Sequence, residues 1–395
     1  MPEATLTDRA RRLLTASARS DVPPFMVMDV MAAAARIEAA GGHVIHMEVG
    51  QPAAPAPKTA ILAAHAALDS GRIDYTSALG TPSLRARIAR HYRDTYGCAV
   101  DAERIVVTTG SSGAFILGFL AMFEPGDRVA VTVPGYPPYR HILTALGCEP
   151  VLIETSSETR HALTGDALLA AHRKSQLKGV LVGSPANPTG TMMSREALTS
   201  LMSAAEGAGI RFISDEIYHG LDYAFPAVTA AELSPHALVI NSFSKYFCMT
   251  GWRVGWMVVP EPLVRPVERL QQNLAISVPT LSQIAAEAAF EGRNEMEEVK
   301  HGYQENRRIL IEGLPQAGLN KFLPADGAFY LYADVSDFTS DSFEFAKQML
   351  EQARVATTPG IDFDPVHGRQ FIRFCYARSA EEMREAVARI ARWLG

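Results

Sequence analysis

From Asn241 to Gly255 the chain reads Asn-Ser-Phe-Ser-Lys-Tyr-Phe-Cys-Met-Thr-Gly-Trp-Arg-Val-Gly. Lys245, the hydroxyls of Ser242 and Ser244, and Arg253 fall close together, just after the apolar run Ala237–Ile240. A lysine that must act as an amine nucleophile has to lose a proton, and its reference pKa of about 10.4 keeps it ammonium in neutral water. A Schiff base with an aldehyde cofactor removes that obstacle, because the amine is held covalently and retuned by its site. Two hydroxyls and a guanidinium are the groups that hold a phosphate. Alone, Lys245 reads as an exposed lysine in a polar turn. The whole string outweighs that reading.

The elements that must position these groups follow from apolar patterning. Short β-branched runs alternate with helical stretches from residue 104 onward. Strands are predicted over Arg104–Thr109, Arg128–Val133, Pro150–Ile153, Gly179–Val182, Arg211–Ser214, Ala237–Ile240 and Val254–Val258. Runs that are apolar throughout point to strands buried on both faces, hence a largely parallel sheet covered by helices. Before it, helices are predicted over Met28–Ala40, Lys58–Ser70 and Ser83–Tyr96, the last with Leu84, Ile88 and Tyr92 on one stripe, and a short strand over Val44–Met47. After Pro279 come a long helical region over Leu281–Gly313, strands over Gly327–Tyr332 and Gln370–Cys375, and helices over Ser342–Gln352 and Ala380–Leu394. The expected organisation is a large domain over 51–285 and a smaller, discontinuous α+β domain from 1–50 and 286–395.

In an open α/β sheet, ligands collect at the carboxyl ends of the strands, and complementary groups recur there. Gly110-Ser111-Ser112-Gly113 opens a helix after the first strand, an anion site or a plain helix cap. Val133-Pro-Gly-Tyr136-Pro-Pro-Tyr139 sets an aromatic that could face a flat ring or pack in the turn. Asn187 in Ser184-Pro-Ala-Asn-Pro-Thr-Gly190 offers an amide from a turn. Asp215 in Ser214-Asp-Glu-Ile-Tyr218 could pair with a protonated ring nitrogen or cap the strand end, with Tyr218 three residues on. Five strand ends in a row, Lys245 included, resist five separate structural explanations.

Composition sets the class. The 395 residues are 48% hydrophobic and 20% charged, as in an ordinary soluble enzyme. A net charge of −6 argues against a nucleic-acid partner. Cys98, Cys148, Cys248 and Cys375 lie far apart and read as reduced thiols, consistent with a cytoplasmic protein. The first twenty residues carry arginines but also Glu3 and Asp8 and no long apolar core, which argues against a signal peptide and leaves a transit peptide as the weaker alternative. The apolar run Ala114–Phe123 is too short to span a bilayer.

With these strings in order, the chain resembles the class I/II pyridoxal-phosphate-dependent aminotransferases of the fold-type I, or aspartate aminotransferase, superfamily. The resemblance runs from about Gly50 to Arg373, and Ser-Phe-Ser-Lys followed by Met-Thr-Gly-Trp-Arg is its most specific part. It implies pyridoxal 5'-phosphate as cofactor, with Lys245 forming the internal aldimine and later shuttling the α-proton. It implies that Asp215 keeps the ring nitrogen protonated, that Asn187 and Tyr218 bond the phenolic oxygen, and that Tyr136 stacks on the ring. Ser111, Ser112, Ser242, Ser244 and Arg253 match the phosphate cup, and Tyr75 a tyrosine reaching the phosphate of the neighbouring subunit. Arg373 matches the arginine that clamps the substrate carboxylate, with Gly50 and Asn187 beside it.

The activity implied is ping-pong transfer of an amino group from an L-amino acid to a 2-oxo acid, in a homodimer with sites at the interface. Ser112 stands where some relatives that act on dicarboxylic amino acids have a lysine, which leans against aspartate. Phe25, Met26, Tyr75, Tyr136, Phe329 and Tyr330 allow an apolar or aromatic donor; 2-oxoglutarate and pyruvate are the expected acceptors. Two other readings share the motifs: a β-lyase or γ-eliminating synthase on the same scaffold, and a cofactor-binding regulator domain. Regulators of that kind carry a DNA-binding module ahead of this domain, and no basic recognition helix precedes Gly50.

Overall fold

The computed structural model describes residues 13–395, so the expectation for the first twenty residues falls largely outside the described residues. A short strand, β1 (Ile45–His46), precedes the main sheet. That sheet holds β2 (Ile105–Thr108), β3 (Arg128–Val133), β4 (Glu149–Glu154), β5 (Gly179–Gly183), β6 (Arg211–Asp215), β7 (Leu238–Ser242) and β8 (Gly255–Val258). Its order is β2-β8-β7-β6-β5-β3-β4. The central strands are buried nearly end to end, as their unbroken Ile and Val runs require. β4, at the edge, is only partly buried.

The sheet is parallel except for β8, which runs antiparallel to both β2 and β7. This reversal positions the lysine segment. The chain leaves β7 at its carboxyl end and returns into β8 at the same edge, with Ser242 and Thr108 both paired to Gly255. The excursion 243–254, with Lys245 and Arg253, is therefore held beside the first turn of the helix Gly110–Met122. A side chain at Gly255 would lie 2.8 Å from the Asn241 carbonyl and 3.2 Å from the Ser111 amide, so only glycine allows this approach.

A second layer packs over one end of the sheet. β9 (Lys321–Phe322), β10 (Tyr330–Asp334), β12 (Thr358–Pro359) and β13 (Phe371–Cys375) form a four-stranded antiparallel sheet, while β11 (Val355–Ala356) pairs parallel with β1. Arg373 stands opposite Tyr332 on β10 and Thr358 on β12. The helices Arg293–Gly313 and Ala380–Leu394 cover this layer, the latter opened by a Ser379–Glu382 capping box.

The predicted stripe Leu84, Ile88 and Tyr92 lies on the helix Pro82–Tyr96 and is fully buried, each residue contributing about 1.5–3 kcal/mol by burial. The helical region predicted over Leu281–Gly313 is two helices, Thr280–Ala289 and Arg293–Gly313, joined by a 3₁₀ turn at Phe290–Gly292. A Cβ at Gly292 would come within 2.4 Å of Pro57, so the break is a point of close packing. The helix Glu261–Leu274 is not foreseen, because Pro262 and Pro266 interrupt its pattern. β9, β11 and β12 are two residues each, too short for any periodicity. No described helix is long and apolar enough to cross a membrane.

Candidate active site

A cavity of about 220 Å³ opens where the carboxyl edge of the main sheet meets the second layer. Its wall includes Gly50, Ser111, Ser112, Tyr136, Asn187, Asp215, Tyr218, Ser244, Lys245, Arg253 and Arg373. Residues from opposite ends of the chain thus converge on one space. Two sequence candidates lie elsewhere. Ser242 is buried behind Ser244, its Oγ 2.9 Å from the Ser244 hydroxyl and accepting from the Ser244 amide at 3.1 Å. Tyr75 is 81% exposed and does not line the cavity of its own chain.

At one end the groups suit an anion. The helix Gly110–Met122 starts without a side-chain cap from Thr109, so its first amides and positive dipole end face the wall that carries Ser111 and Ser112. Arg253 adopts left-handed backbone geometry (φ 52°), a conformation that costs a non-glycine residue about 1 kcal/mol. Its guanidinium lies against Gly110, where a Cβ would meet Nη2 at 2.4 Å. Arg253 donates to the Thr250 carbonyl at 2.9 Å, and Thr250 also lines the cavity.

At the other end stands Asp215, buried at the end of β6. Its Oδ2 accepts a short hydrogen bond from the Tyr139 hydroxyl, and its Oδ1 accepts from the Ile217 amide at 3.1 Å. Burial raises its pKa to about 6, against the pull of those donors. Lys245 Nζ donates to the Gly50 carbonyl at 2.5 Å and lies 5.8 Å from the Tyr218 ring centroid. Burial lowers its pKa to about 8, with Arg373 and Arg253 acting in the same direction and Cys375 and Asp215 against it. The Tyr218 hydroxyl is 2.7 Å from that of Tyr330, and burial holds both phenols well above their ordinary range.

Arg373 is 1% exposed on β13. It donates to Asn187 Oδ1 at 2.9 Å, to Thr358 Oγ1 at 3.1 Å and, closely, to the Glu48 carbonyl. Its guanidinium carbon sits 4.5 Å from the Tyr330 ring centroid and 4.7 Å from that of Phe363, and its Nε has no hydrogen-bond partner among the described residues. The cavity therefore brings together two arginines, a lysine amine whose charged form burial disfavours, and a buried carboxyl group. Such a set could hold a flat phosphorylated ring and, beside it, a carboxylate.

Tyr139 closes the Val133–Tyr139 motif, and the sequence alone assigns it no role. The helix Pro137–Ala145 begins just after Tyr136, and the three-residue spacing sets the two rings edge to face, centroids 5.2 Å apart. Tyr330, expected only near the mouth, is buried between Tyr218, Arg373 and Gly50. Thr250 and Asp362 gave no sequence signal of their own.

The family model for aminotransferase class I and II matches residues 42–390. The chain belongs to that family. It is 47% identical over 380 residues to a valine–pyruvate aminotransferase of Mycobacterium tuberculosis, covering 95% of this chain and 97% of that one. Among solved structures, an aminotransferase from Mycobacterium tuberculosis superposes with a TM-score of 0.94 at 47% identity, over 96% of this chain and 99% of that one. The aspartate aminotransferase of Thermus thermophilus with maleate gives 0.90 at 31% identity, over 96% and 99%. The protein is thus an aminotransferase of fold type I, and the mostly parallel seven-stranded sheet is the core of that fold.

Proposed function

We propose that this aminotransferase uses pyridoxal 5'-phosphate and moves an amino group from an aliphatic L-amino acid to a small 2-oxo acid such as pyruvate. The observation that carries the reading is the single cavity that joins Lys245, Asp215, the Gly110–Arg253 cradle and Arg373. The donors fit the cofactor: an anion cradle that admits no Cβ at Gly110, a buried carboxyl group that among the described residues has no cation bonded to it, and an amine with its pKa near 8. Ser111, Ser112, Ser244 and Arg253 would hold the phosphate, with Ser242 bracing Ser244. Asp215 would hold the protonated ring nitrogen, Asn187 and Tyr218 the phenolic oxygen, and Tyr136 the ring face.

The cofactor, when bound, supplies an aldehyde that takes up the amino group and a ring that accepts the electron pair left by proton removal. Arg373 binds the donor's carboxylate through guanidinium hydrogens now held by Asn187 and Thr358 and through its unpartnered Nε, with Tyr330 and Phe363 excluding water from it. Lys245 Nζ, whose charged form burial disfavours, takes the proton from the donor's α-carbon and hands it on within the same cavity. Positioned proton transfer of this kind contributes roughly 10²–10⁴-fold. Asp215 stabilises positive charge at its end of the cavity, and Tyr139 fixes its orientation.

The side-chain end of the cavity supports an aliphatic donor. Phe25, Val27, Met28, Val49 and Ile217 line it, and among the described residues its arginines are Arg253 and Arg373, the two assigned to the phosphate and to the donor's α-carboxylate. The relative at 47% identity is named for valine and pyruvate. The exposed Tyr75, with Leu62, Leu68 and Ile73 exposed on the neighbouring helix and loop, supports a homodimer in which Tyr75 reaches the partner's phosphate site. The separate apolar clusters of the main sheet and of the second layer support the division into 51–285 and the remainder. Four free, buried cysteines fit a cytoplasmic protein. The test is a half-reaction screen: each amino acid is added to the cofactor-loaded enzyme and the loss of the aldehyde-form absorbance is followed. Valine-like donors should react fastest; a preference for aspartate by tenfold or more overturns the substrate reading.

A further inference from the structure

The apolar wall of the cavity is the beginning of one helix, and its attachment is unusual. Phe25 is the N-cap of the helix Met26–Ala39, and no side chain of the helix's own N-terminus caps it. The first amides of a helix need acceptors. Here the acceptor comes from far along the chain: Asp362 Oδ1 receives the Met26 N–H at 3.5 Å, with the Val27 amide also directed to that carboxylate. Asp362 is 1% exposed, and its Oδ2 has no hydrogen-bond partner among the described residues.

The turn that carries Asp362 touches the other working parts of the site. The next residue, Phe363, packs its ring against the Arg373 guanidinium and accepts from the Gly135 amide at 3.1 Å, beside Tyr136. Arg140 donates to the Asp362 carbonyl at 2.5 Å. Among the described residues, neither Arg140 nor Arg373 hydrogen-bonds the Asp362 carboxylate, which is left to the helix. Phe25 itself meets the Tyr136 ring edge to face, centroids 6.0 Å apart. Loss of the cap would therefore loosen Phe25, Val27 and Met28 together, while the residues around Lys245 are held by other elements.

We infer that Asp362 is a positioning residue for substrate selection: its carboxylate caps the helix Met26–Ala39 from outside and so holds the apolar wall of Phe25, Val27 and Met28 over the donor's side chain. The capping claim stands on geometry; the selectivity claim rests on the aliphatic-donor reading above. Two measurements separate them. Hydrogen exchange on the cofactor-free protein reads the cap directly. In Asp362→Ala, amides of residues 26–28 should exchange roughly five- to tenfold faster, the size of a lost helix cap, and the rest of the chain should not change. Asp362→Asn, which keeps a neutral acceptor, should recover part of the protection.

Steady-state kinetics read the selectivity. In Asp362→Ala the KM for valine should rise by a similar roughly five- to tenfold factor, while kcat and the KM for alanine, which barely reaches the wall, shift less than twofold. Unchanged exchange at 26–28, or faster exchange spread over the whole chain, overturns the cap. Faster local exchange with equal KM changes for valine and alanine overturns the selectivity role. If the wild-type enzyme accepts no aliphatic donor at all, the substrate reading fails while the exchange result still decides the cap.

Discussion

Burial acts in opposite senses on two ionisable groups that share the cavity. It pushes the Lys245 amine down to about 8 and the Asp215 carboxyl up to about 6, because in each case the low-dielectric surroundings disfavour the charged form. For Lys245 the folded value lies below the unfolded one, so its cost to the cofactor-free protein is present below pH 8 and is relieved as pH rises from about 8 to about 10.4. Modification of Lys245 itself by a small aldehyde, read at that residue by peptide mapping after reduction of the cofactor-free protein, should accelerate severalfold from pH 7 to 8 and then level off towards pH 9, whereas the exposed lysines should keep rising. The Lys245→Ala variant should stay folded by circular dichroism and scarcely transaminate. For Asp215 the folded value lies above the unfolded one, so its cost is present above about pH 6 and vanishes as pH falls below the unfolded value. Asp215→Asn should therefore stabilise the cofactor-free protein at pH 7, on the order of 2–3 kcal/mol, while cutting turnover by roughly a hundredfold. Thermal melts beside kcat check both halves; a destabilised but active variant contradicts the role given to the carboxylate.

The elements explain why so few residues need to be special. Reversal of β8 brings the returning chain beside the helix Gly110–Met122, so one edge carries the serines, the amides and Arg253. The fit leaves no room at Gly110, which holds a positive φ of 66° and lies against Arg253. Gly110→Ala should cost about 1 kcal/mol or more in backbone strain and displace the guanidinium. The cofactor's Kd, followed by titration, should rise at least tenfold. An unchanged Kd would remove Gly110–Arg253 from the proposed phosphate cradle. Much of this architecture was legible in advance. The seven strands were readable from unbroken apolar runs, and the closing helix Ala380–Leu394 was predicted with the bounds it has. What was not legible had a local cause: prolines masked Glu261–Leu274, and two-residue strands have no period.

At the scale of the whole molecule, the cavity draws on both layers, with Lys245 and Asp215 from the main sheet and Gly50, Tyr330 and Arg373 from the other. The proposed dimer adds Tyr75 from a second copy. This makes a complementation test decisive. Lys245→Ala and Tyr75→Phe chains should each form impaired homodimers. Mixed after denaturation and refolding, half of the dimers should be hybrids, each with one site built from intact Lys245 and intact Tyr75. Activity should recover to roughly a quarter of the wild-type value. Failure to recover, with hybrids verified by mass, argues that Tyr75 serves no partner site.

The sequence by itself determined the sheet, the family and the identities of Lys245, Asp215, Asn187, Tyr218 and Arg373 as candidates, because strand runs and strand-end motifs are local and survive being read in one dimension. Tertiary structure alone decided that Ser242 stands behind Ser244, that Tyr139 holds Asp215 and Tyr330 meets Tyr218, and that Asp362 caps a helix 336 positions earlier in the chain. Those relations are set by packing between distant segments and by burial. Neither leaves a period or a spacing that a sequence can display.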